Sequence, residues 1–160
     1  FRRFGEEPHA RRIAAAIVRR RAESPLKSAA ELARLVEEAV PFHMRRGRVH
    51  PATRIFQALR IHVNDELSGL DRFLREALDV LEPGGRLAVL AYHSLEDRQV
   101  KKTFRDLSRG CICPPRMPVC GCGREPLLRL TPRRAIKAGV EELDRNPSAR
   151  SARLRVGVKT

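Results

Sequence analysis

Two groups of residues in this chain of 160 have types and spacings that could do chemistry. The first is Tyr92-His93-Ser94, which follows the apolar run Leu87 to Leu90 and precedes Glu96 and Asp97. An imidazole beside a hydroxyl can orient or deprotonate a substrate group. In open α/β sheets ligands bind beyond the carboxyl ends of strands, which is where His93 and Ser94 fall if the apolar run is a strand. A structural reading stands beside the catalytic one: Ser94 lies three residues before Asp97, the spacing of a helix cap and its partner, and His93 could serve only to bond neighbouring backbone. The second group is Cys111, Cys113, Cys120 and Cys122, a C-x-C-x6-C-x-C pattern. Four thiols this close could enclose a tetrahedral structural zinc in a loop too poor in apolar residues to hold itself. Reduced thiols are an equal alternative, and disulfides or a redox pair a further one, although cytosolic disulfides are uncommon. Catalytic zinc is disfavoured, because four thiolates leave no open coordination position.

Other chemistries are excluded. Gly121-Cys122-Gly123 has no preceding strand or following helix, so it is not a nucleotide-binding loop, and there is no P-loop or G-x-S-x-G elbow. His43, His50 and His62 are spaced too loosely for a metal site. What remains is charge. Lys plus Arg number 33 against 19 acids, and only five of the bases are Lys. Guanidinium groups bind phosphates bidentately, which makes RNA or DNA a natural partner. Arginine-rich codon usage in a GC-rich genome is the competing explanation. A uniform bias, however, would not leave residues 49–97 at net −3 between flanks of +6 and +11. Arg45, Arg46, Arg48 and Arg54 are the first candidates for phosphate contacts. Aromatics make up only 4%, which disfavours a single-strand binder built on stacking platforms.

The elements that must position these groups can be read from periodicity. Ile13, Ala14, Ile17 and Val18 predict an amphipathic helix over His9 to Ala22 with an arginine face, broken at Ser24-Pro25. Ser28 with Glu31 predicts a capped second helix ending before Pro41. Phe42 to His50 reads as a basic loop. Pro51 opens a third helix with Ile55, Phe56, Leu59 and Val63, and a fourth runs from Leu67 to Leu81. Pro83-Gly84-Gly85 is turn chemistry. Leu87 to Leu90, apolar without alternation, predicts a parallel strand covered on both faces, followed by a helix over Leu95 to Ser108 with Gly110 as its C-terminal cap. Leu127 to Leu130 reads as a short strand. Ala152 to Lys159 alternates and reads as a half-exposed strand with one basic face. The fold class expected is α/β, an antiparallel hairpin finishing a mainly parallel sheet. The chain begins at Phe1, which suggests a fragment of a longer protein. It has no membrane-length apolar run and no signal-peptide core, so the expected compartment is the cytoplasm.

Three segments, HPATRIFQALRIHVNDEL, LEPGGRLAVLAYHSLEDR and NPSARSARLRV, occur in the order seen in the RsmH (MraW) family of bacterial 16S ribosomal RNA methyltransferases, which the chain resembles over nearly all its length. The resemblance implies a Rossmann-like class I methyltransferase fold with an inserted helical subdomain. Residues 1–66 would be part of that subdomain and 67–160 the C-terminal part of the catalytic domain, with a Cys-rich loop at 110–124. It implies S-adenosylmethionine as cofactor and N(4) of a decoding-centre cytosine in 16S rRNA, within the small ribosomal subunit, as target; a homodimer is compatible with it. The family's glycine-rich loop, its ribose-binding acid and the Ser-Pro strand exit belong to an N-terminal half not found in this sequence, so no residue here is assigned to the cofactor. On this reading His93 and Ser94 line the base pocket, while Arg45, Arg46, Arg48, Arg54 and Arg60 contact RNA. A non-catalytic RNA-binding module is the alternative, and a DNA methyltransferase fragment a third reading.

Overall fold

Helix stop signals set the layout of the first half of the chain. The computed structural model describes residues 1–45, 49–114 and 119–160, and these divide into two compact units, Phe1–Glu66 and Leu67–Thr160. In the first unit the one-turn helix α1 (Arg2–Gly5) precedes α2 (Ala10–Glu23), α3 (Ala29–Ala39), the short α4 (Phe42–Arg45) and α5 (Ala52–Asn64). α2 ends at Ser24, whose extended backbone is what a following proline demands. α3 starts where Ser28 Oγ accepts the Glu31 amide at 3.2 Å. Pro51 caps α5, where a missing N–H costs nothing.

Ile13, Val36, Ala39, Val40, Ala52 and Ile55 form the core of this unit, drawn from α2, α3 and α5. Each fully buried aliphatic side chain contributes about 1.5–3 kcal/mol, so Ile13, Val36 and Ile55 fix the three helices together. α1 sits close against α5 because Gly5 has no side chain: a Cβ there would lie 2.5 Å from the Arg54 carbonyl oxygen. Val18, expected on the apolar stripe of α2, is 53% exposed, so that stripe is narrower than its sequence suggests. The expected basic loop opens with the α4 turn, and Arg46 and Arg48 lie outside the described residues.

The second unit contains α6 (Leu70–Asp79), β1 (Arg86–Ala91), α7 (Ser94–Leu107), β2 (Leu128–Leu130), α8 (Val140–Arg145), a 3-10 turn at Pro147–Ser151 and β3 (Arg153–Lys159). The strands form a three-stranded sheet in the order β1-β3-β2. Leu74 and Leu78 of α6, Val100, Phe104 and Leu107 of α7, and Leu128 of β2 make the core, with Leu87 and Val89 of β1 packed against it. Gly84 (φ 82°) makes the left-handed turn into β1, and its amide reaches the Lys159 carbonyl at 2.9 Å. No helix among the described residues is long and apolar enough to cross a membrane.

Several expectations change. In place of a mainly parallel sheet, every strand pairing among the described residues is antiparallel, running from Arg86↔Val158 to Ala91↔Arg153 for β1 with β3. β1 is not covered on both faces. Its burial alternates, because α6 and α7 cover the Leu87 and Val89 face while Leu90 is 49% exposed. The N-cap of α7 is His93, not Ser94, which is already the first helical residue. The C-cap of α7 is Ser108 rather than Gly110. α8 carries no apolar stripe and buries no residue, so periodicity could not announce it.

Candidate nucleic-acid groove at the exit of β1

Antiparallel pairing of Ala91 with Arg153 puts the end of β1 beside the start of β3. Two segments some 55 residues apart in sequence, Tyr92-His93-Ser94 and Ser148 to Arg153, therefore meet at one end of the sheet. Local sequence fixes each. The 3-10 turn starts at Asn146, whose Oδ1 accepts the Ser148 amide at 3.2 Å, with Pro147 next and Ala149 buried beneath. On the other side His93 and Glu96 form a reciprocal capping box. The Glu96 amide donates to His93 Nδ1 at 3.3 Å, and Glu96 Oε2 accepts the Tyr92 and His93 amides at 3.0 and 3.3 Å.

The cap determines what His93 can do. Nδ1 is taken by the Glu96 amide, and Nε2 lies 3.3 Å from Glu96 Oε1. Both ring nitrogens thus face Glu96, and the side chain is 9% exposed. The imidazole holds the strand exit in place. Ser94, by contrast, is exposed beside it.

Arg155 locks β3 to the first turn of α7. Its Nε and Nη2 donate to the two oxygens of Asp97 at 2.7 and 3.0 Å, so it is not part of an open basic face as its alternation with Val156 suggests. Above this fork lies an open groove of about 560 Å³ lined by His93, Ser94, Asp97, Arg98, Lys101, Arg150, Ser151 and Arg153. With Asp97 neutralised by Arg155, four cations surround the space. Arg153 folds back onto the Ala152 and Arg150 carbonyls at 2.7 and 3.1 Å, while Arg98, Lys101 and Arg150 are exposed. Such a surface suits phosphate oxygens. These four cations are absent from the candidates picked by sequence. Two of them, Arg150 and Arg153, lie in the NPSARSARLRV segment, but nothing local says that it folds onto the exit of β1.

Of the arginines singled out by sequence, Arg45, Arg54 and Arg60 are described, and each has an internal partner in the first unit. Arg45 donates to the Glu38 and Val40 carbonyls at the end of α3, at 3.1 and 3.4 Å. Arg60 grips Glu66 at 2.9 Å, and Arg54 lies 3.8 Å from the buried Glu7.

A larger cleft of about 850 Å³ runs between α6 and α7, with Lys102, Arg105 and Arg109 on its wall and its two carboxylates held by internal partners. Arg75 bridges Asp71 (3.0 Å) and Asp106 (2.9 Å), Arg124 joins Asp106, and the buried Thr103 hydroxyl donates to Asp71. The Thr103 hydrogen bond, then Arg75, hold the Asp71 carboxyl below its ordinary pKa; Arg75, followed by Arg124, does the same for Asp106. This is a brace between two helices.

The four cysteines converge, with Cys120 Sγ 3.4 Å from Cys111 Sγ and 3.5 Å from Cys122 Sγ. Backbone amides of Ile112 and Arg124, with Cys120, lower the Cys122 thiol to about 6. Nothing of this cluster faces the basic groove.

The MraW methylase family model matches residues 1–160. A protein of Syntrophotalea carbinolica named ribosomal RNA small subunit methyltransferase H is 54% identical over 155 residues, covering 97% of this chain and 49% of that protein. Proteins of the same name from Thermomicrobium roseum (52% identical, 97% of this chain, 47% of that protein) and Trichlorobacter lovleyi (50%, 99% and 51%) align similarly. The chain spans about half the length of the curated relatives it matches. A match along its whole length, on which the β1 exit and the arginine-rich turn that meets it both fall, shows that the chain belongs to the MraW methylase family.

Proposed function

We propose that the protein carrying this chain is an S-adenosylmethionine-dependent methyltransferase of small-subunit ribosomal RNA, acting on N(4) of a decoding-centre cytosine, and that this chain supplies an RNA-binding wall of its active site. The observation that carries the reading is the meeting of the β1 exit with Arg150 and Arg153 around one basic groove, in a chain about half identical to proteins named ribosomal RNA small subunit methyltransferase H. Leu67–Thr160 would be the C-terminal part of a Rossmann-like sheet and Phe1–Glu66 part of an inserted helical substrate-recognition subdomain. An rRNA substrate makes the cytoplasm its place of work.

Among the described residues we place no cradle for the cofactor. The one strand among them that leads directly into a helix, β1 into α7, has no glycine at its junction, and His93 and Glu96 already take the amides there. No cofactor contact is therefore assigned to this chain, and no step is derived through one. Its own residues would work by positioning. Arg98, Lys101 and Arg150 hold phosphates of the target strand, and Arg153 shapes the floor of the groove. Exposed Tyr92 offers a ring to an unstacked base, and Ser94 a hydroxyl at its edge. His93 fixes both through its cap. Holding the amine in line for transfer supplies most of the rate effect, and such a reaction calls on no metal.

The test is to incubate the full-length protein with S-adenosylmethionine and small subunits lacking the modification, then identify the methylated nucleoside by mass spectrometry. N(4)-methylcytidine from the decoding centre is expected. Methyl groups on another base, or on DNA only, would overturn the proposal. Binding of small subunits without any transfer would favour the RNA-binding module.

A further inference from the structure

We propose that Cys111, Cys113, Cys120 and Cys122 bind one zinc ion as a tetrathiolate site that shapes the loop between α7 and β2. The sulfurs already stand where such a site needs them. With Zn–S bonds of about 2.3 Å, tetrahedral geometry separates neighbouring sulfurs by about 3.8 Å. The separations are 3.4, 3.5 and 3.8 Å among Cys111, Cys120 and Cys122, and all four sulfurs lie within 4.8 Å of one another. None is disulfide-bonded.

Among the described residues of the loop, Ile112 and Val119 are 59% and 75% exposed, so neither is gathered into an apolar cluster. Among the described residues of 111–125, no backbone–backbone hydrogen bond ties the segment to itself or to its neighbours. Its ends, however, are fixed. The Leu127 amide donates to the Leu107 carbonyl at 2.9 Å, and Arg124 Nη2 donates to the Asp106 carbonyl at 2.7 Å. A segment anchored at both ends, whose described residues make no backbone hydrogen bonds between them, is what a metal ion can organise. A backbone amide also points at the sulfurs, the Cys113 N–H donating to Cys111 Sγ at 3.4 Å. Such a donor offsets negative charge on a tetrathiolate site. Four thiolates fill the coordination sphere of zinc, so the ion is structural, and soft sulfur donors select it over magnesium or calcium.

The test uses the full-length protein, purified anaerobically without chelator. Elemental analysis should find about one zinc per chain. X-ray absorption should show four sulfurs near about 2.3 Å, and cobalt exchanged into the site should give thiolate charge-transfer and tetrahedral d–d bands. Cys113→Ser with Cys122→Ser should abolish all three signals. It should also speed hydrogen exchange at residues 108–127 while leaving α2, α3 and α5 protected, which shows that the variant still folds. Because a variant can misfold, chelator treatment of the wild-type protein provides a second arm, and zinc should restore the lost protection. A reduced, folded wild-type protein that holds no zinc and takes up no cobalt would overturn the proposal. So would disulfides in the anaerobic protein, iron in place of zinc, or zinc retained by the double variant.

Discussion

Arg155 reaches Asp97 through two hydrogen bonds, 2.7 Å from Nε to Oδ1 and 3.0 Å from Nη2 to Oδ2, and so joins the middle of β3 to the first turn of α7. The pair is partly buried, at 14% and 23% exposure. It sets the distance between the arginine-rich turn and the β1 exit, and it removes the one negative charge from the groove they form. A planar fork does this, and an ammonium group cannot. Arg155→Lys should therefore cost about 1–2 kcal/mol in local stability. Hydrogen exchange of the α7 amides in the full-length protein measures it, and RNA binding should fall in parallel.

His93 should be replaceable by any good cap. His93→Ala should destabilise the start of α7 by about 1 kcal/mol, whereas His93→Asn or His93→Ser should recover most of that loss. Methylation assays on the same variants separate positioning from proton transfer. If the ring acts only through its cap, activity returns with Asn and Ser. An Asn variant that keeps the helix and loses activity would mean that the imidazole itself is needed.

The α6–α7 brace predicts acid sensitivity with a definite sign. Asp71 and Asp106 are held below their ordinary pKa by Thr103 and Arg75 and by Arg75 and Arg124, so the folded state binds these protons less readily than the unfolded chain. Their contribution is fully present above the unfolded value of about 4 and is lost as the pH falls through the lowered folded values. Asp71→Asn should then weaken α6–α7 protection at neutral pH, and the difference from wild type should shrink below about pH 4. Both carboxylates are nearly half exposed, which keeps the effect small.

Gly5→Ala should loosen the first unit. The added methyl would meet the Arg54 carbonyl at 2.5 Å, and backbone cannot swing aside as a side chain can. A loss of about 1–3 kcal/mol is expected, seen as faster exchange in α5 with α7 unaffected.

Much of this is legible in the chain, for reasons that differ by element. Ser28 with Glu31 is a signal contained in four residues, and the structure contains the bond it announces. The helices with a broad apolar face, α3, α5 and α6, follow from periodicity. The apolar run before Tyr92 is a strand. Its one-sided cover is hidden in the sequence, because Leu87 to Leu90 reads the same whether one face or both are packed. Serine is the commoner cap, which points to Ser94 at the start of α7, whereas here the His93 ring fills that place. The groove is out of reach: Arg150 and Lys101 become neighbours only through the β1–β3 register and the Arg155–Asp97 fork, both long-range. Arg45 and Arg60 are picked out as candidate RNA contacts, but sequence cannot show that α3 carbonyls and Glu66 also bond them.

The most direct test of the central claim is the salt dependence of small-subunit binding by the full-length protein and its Lys101→Ala/Arg150→Ala variant. If the groove between α7 and the arginine-rich turn holds rRNA phosphates, the variant should bind about 10–100-fold more weakly. The slope of log K against log salt should fall by about 1–2, a little under one unit for each phosphate no longer neutralised. Unchanged affinity and slope in a folded variant would contradict the account.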